Sequence, residues 1–144
     1  MSSRKIVVAY DGSPNSKKAL QFGGEIAKEL GADLTLVSVI DDDFSIFGGE
    51  FDVREFEQMQ QAREDFGKKA LADGTAQADK LGLKVTTALL IGNPAEELIQ
   101  YGQRENVYLI VVGSRGLGGF KSLVLGSVTQ NILSHSSIPV LVAR

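Results

Sequence analysis

The chain has 144 residues, of which 43% are hydrophobic and 23% are charged, a size and composition typical of one folded domain, here residues 1–144. Cysteine is absent, which excludes disulfides and thiolate metal sites, and the net charge of -3 argues against general binding to nucleic acid or to anionic membranes. Because no apolar stretch is long enough for a signal peptide or a membrane-spanning helix, we expect a cytoplasmic protein.

The first third of the chain predicts two buried strands joined by a helix. The β-branched run within residues 4–10 is typical of a strand that is covered on both faces of a sheet. Ser13 and Pro14 then predict the N-cap and the first residue of a helix, and Gly31 suits the left-handed residue that ends it. A second buried strand is predicted at residues 34–40.

The middle of the chain predicts a long helix, a strand and a shorter helix. From about Asp52 the apolar residues recur at helical spacing as far as Leu81. A third strand is predicted at residues 83–91, and Asn93 and Pro94 then supply the cap and the first residue of the next helix.

The last third of the chain predicts a strand at residues 107–112, a glycine-rich loop, a short helix at 127–135 and a strand at 138–143. Strands that alternate with helices predict an α/β fold, a parallel sheet covered on both faces by helices. This count of elements favours a doubly wound sheet of five strands with two helices on each face. Ligands of such sheets bind beyond the carboxyl ends of the strands.

The loop after the fourth strand carries the main chemical signal. It reads Gly113-Ser114-Arg115-Gly116, then nine residues, then Gly126-Ser127. It is not a Walker loop, because Phe120 stands between Gly119 and the following lysine. It also lacks the third glycine of the dinucleotide-binding pattern.

The loop nevertheless has the properties of an anion site. Glycines let backbone amides approach phosphate oxygens closely, and a helix that starts at Ser127 favours negative charge at its N-terminus. An alternative interpretation is that Ser127, in an S-x-x-Q pattern with Gln130, caps its own helix.

The spacing of Gly113, Gly116 and Gly126-Ser127 resembles the nucleotide-binding motif of the universal stress protein family, in its ATP-binding subgroup. The resemblance covers almost the whole chain, since it extends to the segments VVAYDGS, GNPAE and IPVLV at residues 7–13, 92–96 and 138–142. It implies a Rossmann-like sheet in the order 3-2-1-4-5, with an adenine nucleotide across the ends of strands one, two and four. The chain departs from the family at Tyr108, where an aspartate is frequent, but this position lies away from the motif.

The resemblance also implies a set of binding residues. The ligand would be ATP, with ADP or another adenine nucleotide as the alternative, and any Mg²⁺ would be held through the phosphates. Asp11 would contact the ribose or a metal-bound phosphate, and the backbone at Val39 and Ile40 would meet adenine. The full set is Ala9, Tyr10, Asp11, Ser13, Val39, Ile40, Gly113, Ser114, Arg115, Gly116, Gly118, Gly126, Ser127, Val128 and Thr129.

The polar candidates also have structural interpretations. Asp11 could cap the first helix, as aspartates before turns commonly do. Arg115 and Lys121 are candidates to neutralise phosphate charge, although loop cations are more often solvated. The acidic run at residues 41–43 is interpreted as solvated rather than as a metal site. The sole histidine, His135, is expected to contact carbonyl groups at a helix end.

The function indicated by these features is ATP binding by a stress-response or signalling protein that acts as a dimeric sensor or regulator. One alternative is a slow ATPase or phosphotransferase that uses the same site, and another is a dimeric scaffold that binds no nucleotide. No Ser-His-Asp set, histidine cluster or pair of carboxylates with a shared target is evident, so we predict no catalytic residue and at most slow ATP hydrolysis.

The final strand predicts a homodimer. Val140, Leu141 and Val142 make it apolar on both faces, without the charges that usually protect an edge strand. Antiparallel pairing with the same strand of a second copy would cover it, and the family resemblance implies the same arrangement. No motif identifies a downstream protein partner.

Overall fold

The computed structural model describes residues 3–44, 50, 52–115 and 125–144. Strands and helices alternate along these residues, as the sequence predicts, with small shifts at the strand ends. The elements are β1 (Lys5–Ala9), α1 (Pro14–Leu30), β2 (Asp33–Ile40), α2 (Val53–Lys80), β3 (Val85–Ile91), α3 (Pro94–Arg104), β4 (Leu109–Gly113), α4 (Ser127–His135) and β5 (Val140–Ala143).

The strands form one parallel sheet in the order β3-β2-β1-β4-β5, which confirms the predicted fold class and strand order. At the centre of the sheet, Val8 of β1 pairs with Leu36 on one side and with Val111 on the other. The chain builds the sheet outward from β1 in both directions. The carboxyl end of β1 is therefore the point where the strand order reverses and a crevice opens.

Successive residues of β1 face two separate cores. Ile6 and Val8 pack with apolar residues of α1 and α2, whereas Val7 packs with Leu98 of α3 and Ile132 of α4. Two helices thus cover each face, as predicted. Because both faces of β1 are buried, its sequence is a continuous apolar run rather than an alternating one.

Each of the first three helices begins at a residue whose polar side chain caps the helix. The cap oxygens belong to Ser13, Asp52 and Asn93, which accept the N–H groups of Ser16, Glu55 and Glu96 at 3.2, 2.7 and 3.1 Å. Gly31 ends α1 in the left-handed conformation, at φ 63°. Within the described ranges, no helix is both long and apolar enough to cross a membrane.

Candidate functional site

A cavity of about 220 Å³ lies at the carboxyl ends of β1, β2 and β4, beside the first turn of α4. It occupies the crevice at the reversal of the strand order, where ligands of doubly wound sheets bind. The fold brings segments that are distant in sequence to this one place. The predicted binding residues that line the cavity are Ala9, Tyr10, Asp11, Ser13, Val39, Gly113, Arg115, Val128 and Thr129.

The other predicted binding residues are not among the described residues that line the cavity, and for Ile40 the prediction concerned its backbone. The Ile40 side chain is on the opposite face of the sheet, where a Cβ added at Gly67 of α2 would lie 3.3 Å from Ile40 Cγ1. This follows from alternation, because Val39 faces the cavity and its neighbour must face away. Ser114, Gly126 and Ser127 adjoin the cavity without lining it. Gly116, Gly118 and Lys121 lie outside the described residues.

The cavity also has lining residues that sequence reasoning missed. They are Ser16, Val37, Pro94, Leu98, Val112 and Ile132. Strand alternation could have identified Val37 and Val112, since Val37 shares a face with Val39 and Val112 continues the β4 wall. The apolar positions of α3 and α4 show which helix face is buried. They do not show that part of this face borders a cavity.

The turn after β1 is held by its own polar side chains. Asp11 Oδ1 accepts the N–H of Ser13 at 2.9 Å, and Gly12 between them has a φ of 84°. The Ser13 side chain, not Asp11, caps α1, which corrects the alternative interpretation of Asp11 as the cap. Ser16 Oγ in turn donates to the Ser13 carbonyl at 2.9 Å. This network places the Asp11 carboxylate at the cavity.

The segment from β4 to α4 forms the opposite wall. Thr129 Oγ1 donates to the Gly113 carbonyl at 2.9 Å, and the N–H of Gly126 donates to the Ser114 carbonyl at 2.9 Å. A Cβ at Gly113 would lie 2.9 Å from main-chain atoms of Asn15 in α1. Gly113 is therefore required by close packing of α1 against the end of β4.

Among the described residues, no side chain caps the N-terminus of α4. The cap residue is Gly126, and Ser127 is the first residue of the helix. The interpretation of Ser127 as the cap is therefore wrong, because Gly126 holds the cap position and Ser127 already belongs to the helix. The Gln130 side chain donates instead to the Leu125 carbonyl at 2.7 Å.

Tyr10 reaches the cavity from a strand end, but its ring belongs to the other face of the sheet. A Cβ at Gly74 of α2 would lie 3.0 Å from the Tyr10 ring, and the Tyr10 hydroxyl donates to Asp73. Burial, followed by the hydrogen bond to Asp73, raises the pKa of the Tyr10 phenol well above its usual range. The phenol therefore remains a donor to α2 at physiological pH.

The family model of the universal stress protein family matches residues 2–144. The chain belongs to this family. Universal stress protein YxiE of Bacillus subtilis is 34% identical over 145 residues, which cover 97% of this chain and 98% of the relative. A universal stress protein of Methanocaldococcus jannaschii is 32% identical over 141 residues, with 98% of this chain and 82% of the relative covered. The family predicted from the glycine-rich loop is confirmed.

Solved universal stress proteins share the fold. UspA of Lactobacillus plantarum superposes with a TM-score of 0.82 at 22% identity, covering 100% of this chain and 99% of its own. A protein of Archaeoglobus fulgidus in complex with dAMP has a TM-score of 0.71 at 21% identity and covers 100% of both chains. A family member of Arabidopsis thaliana with AMP bound has a TM-score of 0.69 at 21% identity, covering 97% of this chain and 90% of its own.

In this universal stress protein the remaining polar candidates lie away from the cavity. The side chains of the acidic run at residues 41–43 are exposed. Among the residues that the structure describes, no group of three His, Asp or Glu side chains is arranged to hold a metal ion. His135 Nδ1 lies 3.0 Å from the carbonyl oxygen of Asn131, the contact with a helix-end carbonyl that the sequence predicts.

Proposed function

We propose that this universal stress protein binds ATP in the cytoplasm and acts as a dimeric sensor or regulator in the stress response. The observation that carries the proposal is the composition of the cavity wall. Val39 lies beyond the described pairing of β2 with β1, and no described side chain caps α4 at Gly126, beside the same crevice. The main-chain groups of Val39 suit a base, and the start of α4 suits phosphates. Asp11 also lines this cavity, and its carboxylate would contact a ribose.

Strand pairing supports a base site at Val39. The register of β1 with β2 ends at Val37, whose carbonyl accepts one further bond from the Tyr10 N–H at 2.8 Å. Main-chain groups of alternate residues point to the same neighbouring strand, so Val39 directs its N–H and C=O toward the space that β1 has vacated. Adenine presents an amino donor beside a ring acceptor, which matches this pair of main-chain groups.

The start of α4 supports a phosphate site. With glycine at the cap, no described side chain caps the first turn of α4, and its N–H groups together with the helix dipole favour an anion. Among the described residues that line the cavity, Arg115 is the only Lys or Arg. The glycine-rich loop that begins at Gly113 leads from β4 to this helix and would carry the phosphates beyond the first one.

The comparisons support an adenine nucleotide as the ligand class. Related folds are known in complex with dAMP and with AMP. ATP is our choice within this class because the loop matches the motif of the ATP-binding subgroup, with Mg²⁺ held by the phosphates. An enzyme with the same site is the competing function. The described lining residues include one carboxylate, Asp11, and no histidine to act as a general base, so we expect binding with negligible turnover.

Mass spectrometry of the ligand released from denatured protein, followed by calorimetric titration with ATP, ADP and AMP, tests the proposal. Val128→Glu supplies the site variant, because Val128 lines the cavity and is 41% exposed, so a carboxylate there adds repulsion of phosphate without disturbing the core. We expect at least about a tenfold loss of ATP affinity. Leu133→Glu is the matched control, since Leu133 lies on the same helix at 43% exposure and does not line the cavity. A protein that binds none of the three nucleotides contradicts the proposal.

A further inference from the structure

Arg63, on α2, contacts the chain segment that follows β2, residues 41–44. Its guanidinium donates to the carbonyl oxygens of Asp41 and Asp43, the latter at 3.0 Å. The same group lies over the ring of Phe44, with 4.2 Å from its central carbon to the ring centroid. One side chain thus makes two hydrogen bonds and a cation–π contact with three of the four residues 41–44.

Residues 41–44 are folded onto α2. Phe44 is only 7% exposed, and its ring packs on Phe56 of α2 with centroids 4.6 Å apart. The Asp43 N–H donates to Asp41 Oδ1 at 2.8 Å, which forms a tight turn within the segment. Because α2 covers the face of the sheet opposite the cavity, the segment leaves β2 on the side away from the proposed nucleotide.

The contacts between Arg63 and residues 41–44 lie next to the proposed base site. Val39 borders the main cavity on one side and, on the other, a small cavity of about 130 Å³ lined by Arg63, Asp41 and Phe66. One turn along α2 from Arg63, Gly67 allows the helix to approach β3 so closely that a Cβ there would lie 2.7 Å from Leu89 Cδ1. Arg63 therefore extends from a part of α2 that is fixed against the sheet.

We propose that Arg63 is a positioning residue for nucleotide binding. It holds residues 41–44 on the α2 face, so that the main-chain edge of Val39 stays open to the base on the other face. The inference rests on the proposed function. It assigns to Arg63 an effect on the base half of the ligand and none through its charge on the phosphates.

Arg63→Ala tests the proposal by competition binding with ATP and with adenosine. If the segment then holds its binding-competent position about one tenth of the time, both dissociation constants rise about tenfold. An equal rise in the two dissociation constants indicates an effect on binding of the base. Loss of a charge that attracts phosphate would instead weaken the binding of ATP more than that of uncharged adenosine. Amide hydrogen exchange is expected to rise at residues 39–44 and to stay unchanged in α4.

Arg63→Lys and Arg4→Ala complete the experiment. Lysine keeps the charge and can still donate to the carbonyls, but it lacks the planar guanidinium that lies over the Phe44 ring, so it should weaken binding as well. Arg4 lies over the ring of Tyr108 at 4.9 Å, outside the site, and its loss should leave both affinities unchanged. Wild-type affinity for adenosine in both Arg63 variants, or a larger loss for ATP than for adenosine, overturns the inference. Wild-type protein without nucleotide affinity overturns the proposed function instead.

Discussion

Gly126 occupies a cap position where a polar side chain would normally be found. Its φ of −64° and ψ of 158° almost coincide with those of Ser13, at −69° and 158°, which caps α1 through its hydroxyl. Among the described residues, a Cβ at Gly126 would meet no atom closer than 3.6 Å, so they do not require glycine here. Because Gly126 has no cap oxygen, its side chain does not compete with an external anion for the first-turn amides of α4.

Gly126→Ser should raise the stability of the protein and lower its affinity for ATP. The serine hydroxyl is expected to accept a first-turn N–H, as Ser13 does, which raises the free energy of unfolding by a few tenths of a kcal/mol. The same bond removes a donor from the phosphates, so ATP affinity should fall severalfold. Gly126→Ala is the control, because it adds the Cβ without an acceptor. Urea unfolding and calorimetry measure both effects, and a serine variant that binds ATP more tightly contradicts this account.

Residue roles in the cavity could be predicted only where the pattern is local. The family resemblance predicted Asp11 and Gly113 as site residues, but it could not show that Gly113 is needed because α1 packs within van der Waals distance of it. Nor could the resemblance show which of Val39 and Ile40, at the end of β2, directs its side chain toward the cavity. Strand alternation makes that choice once it is known which face carries the cavity, and this depends on the order of the strands.

At the scale of elements, α2 is tied to the end of β1 beside the site. The Tyr10 hydroxyl donates to Asp73, and Gly74 lets the helix rest on the Tyr10 ring. Helix starts and strand spans were predictable because caps and apolar periodicity are local signals. Glycine in a helix interior lowers helix stability, but at Gly67 and Gly74 it allows α2 to approach the sheet closely.

Tyr10→Phe should loosen this link between α2 and β1. Removing a hydrogen bond to a carboxylate is expected to lower the free energy of unfolding by about 1.5–3 kcal/mol near pH 7. The pKa of Tyr10 is raised in the folded protein, so its contribution is fully present below the unfolded value of about 10 and is lost as pH rises further. The difference in stability between wild type and variant should therefore shrink in alkaline urea titrations. A difference that grows with pH contradicts the assignment.

At the scale of the whole molecule, the sheet has two outer strands that differ in character. β3 forms one edge and carries the exposed pair Thr86 and Thr87, whereas β5 forms the other with the apolar sequence VLVA. In the described sheet β5 pairs with β4 alone, so one row of its main-chain groups is not used by the sheet. A second copy placed antiparallel would pair with this row and extend the sheet across both molecules.

Lysine substitutions on the two faces of β5 test the proposed dimer. Val140 packs with the core under α3 and α4, and Leu141 packs with the core under α1 and α2. If the strands pair edge to edge, both faces continue across the interface, so Val140→Lys and Leu141→Lys should each produce monomers in light scattering. A dimer that uses one face of the sheet would respond to only one of them. Leu30→Lys, at an exposed position of α1, controls for added charge, and dimers that persist in both β5 variants exclude this interface.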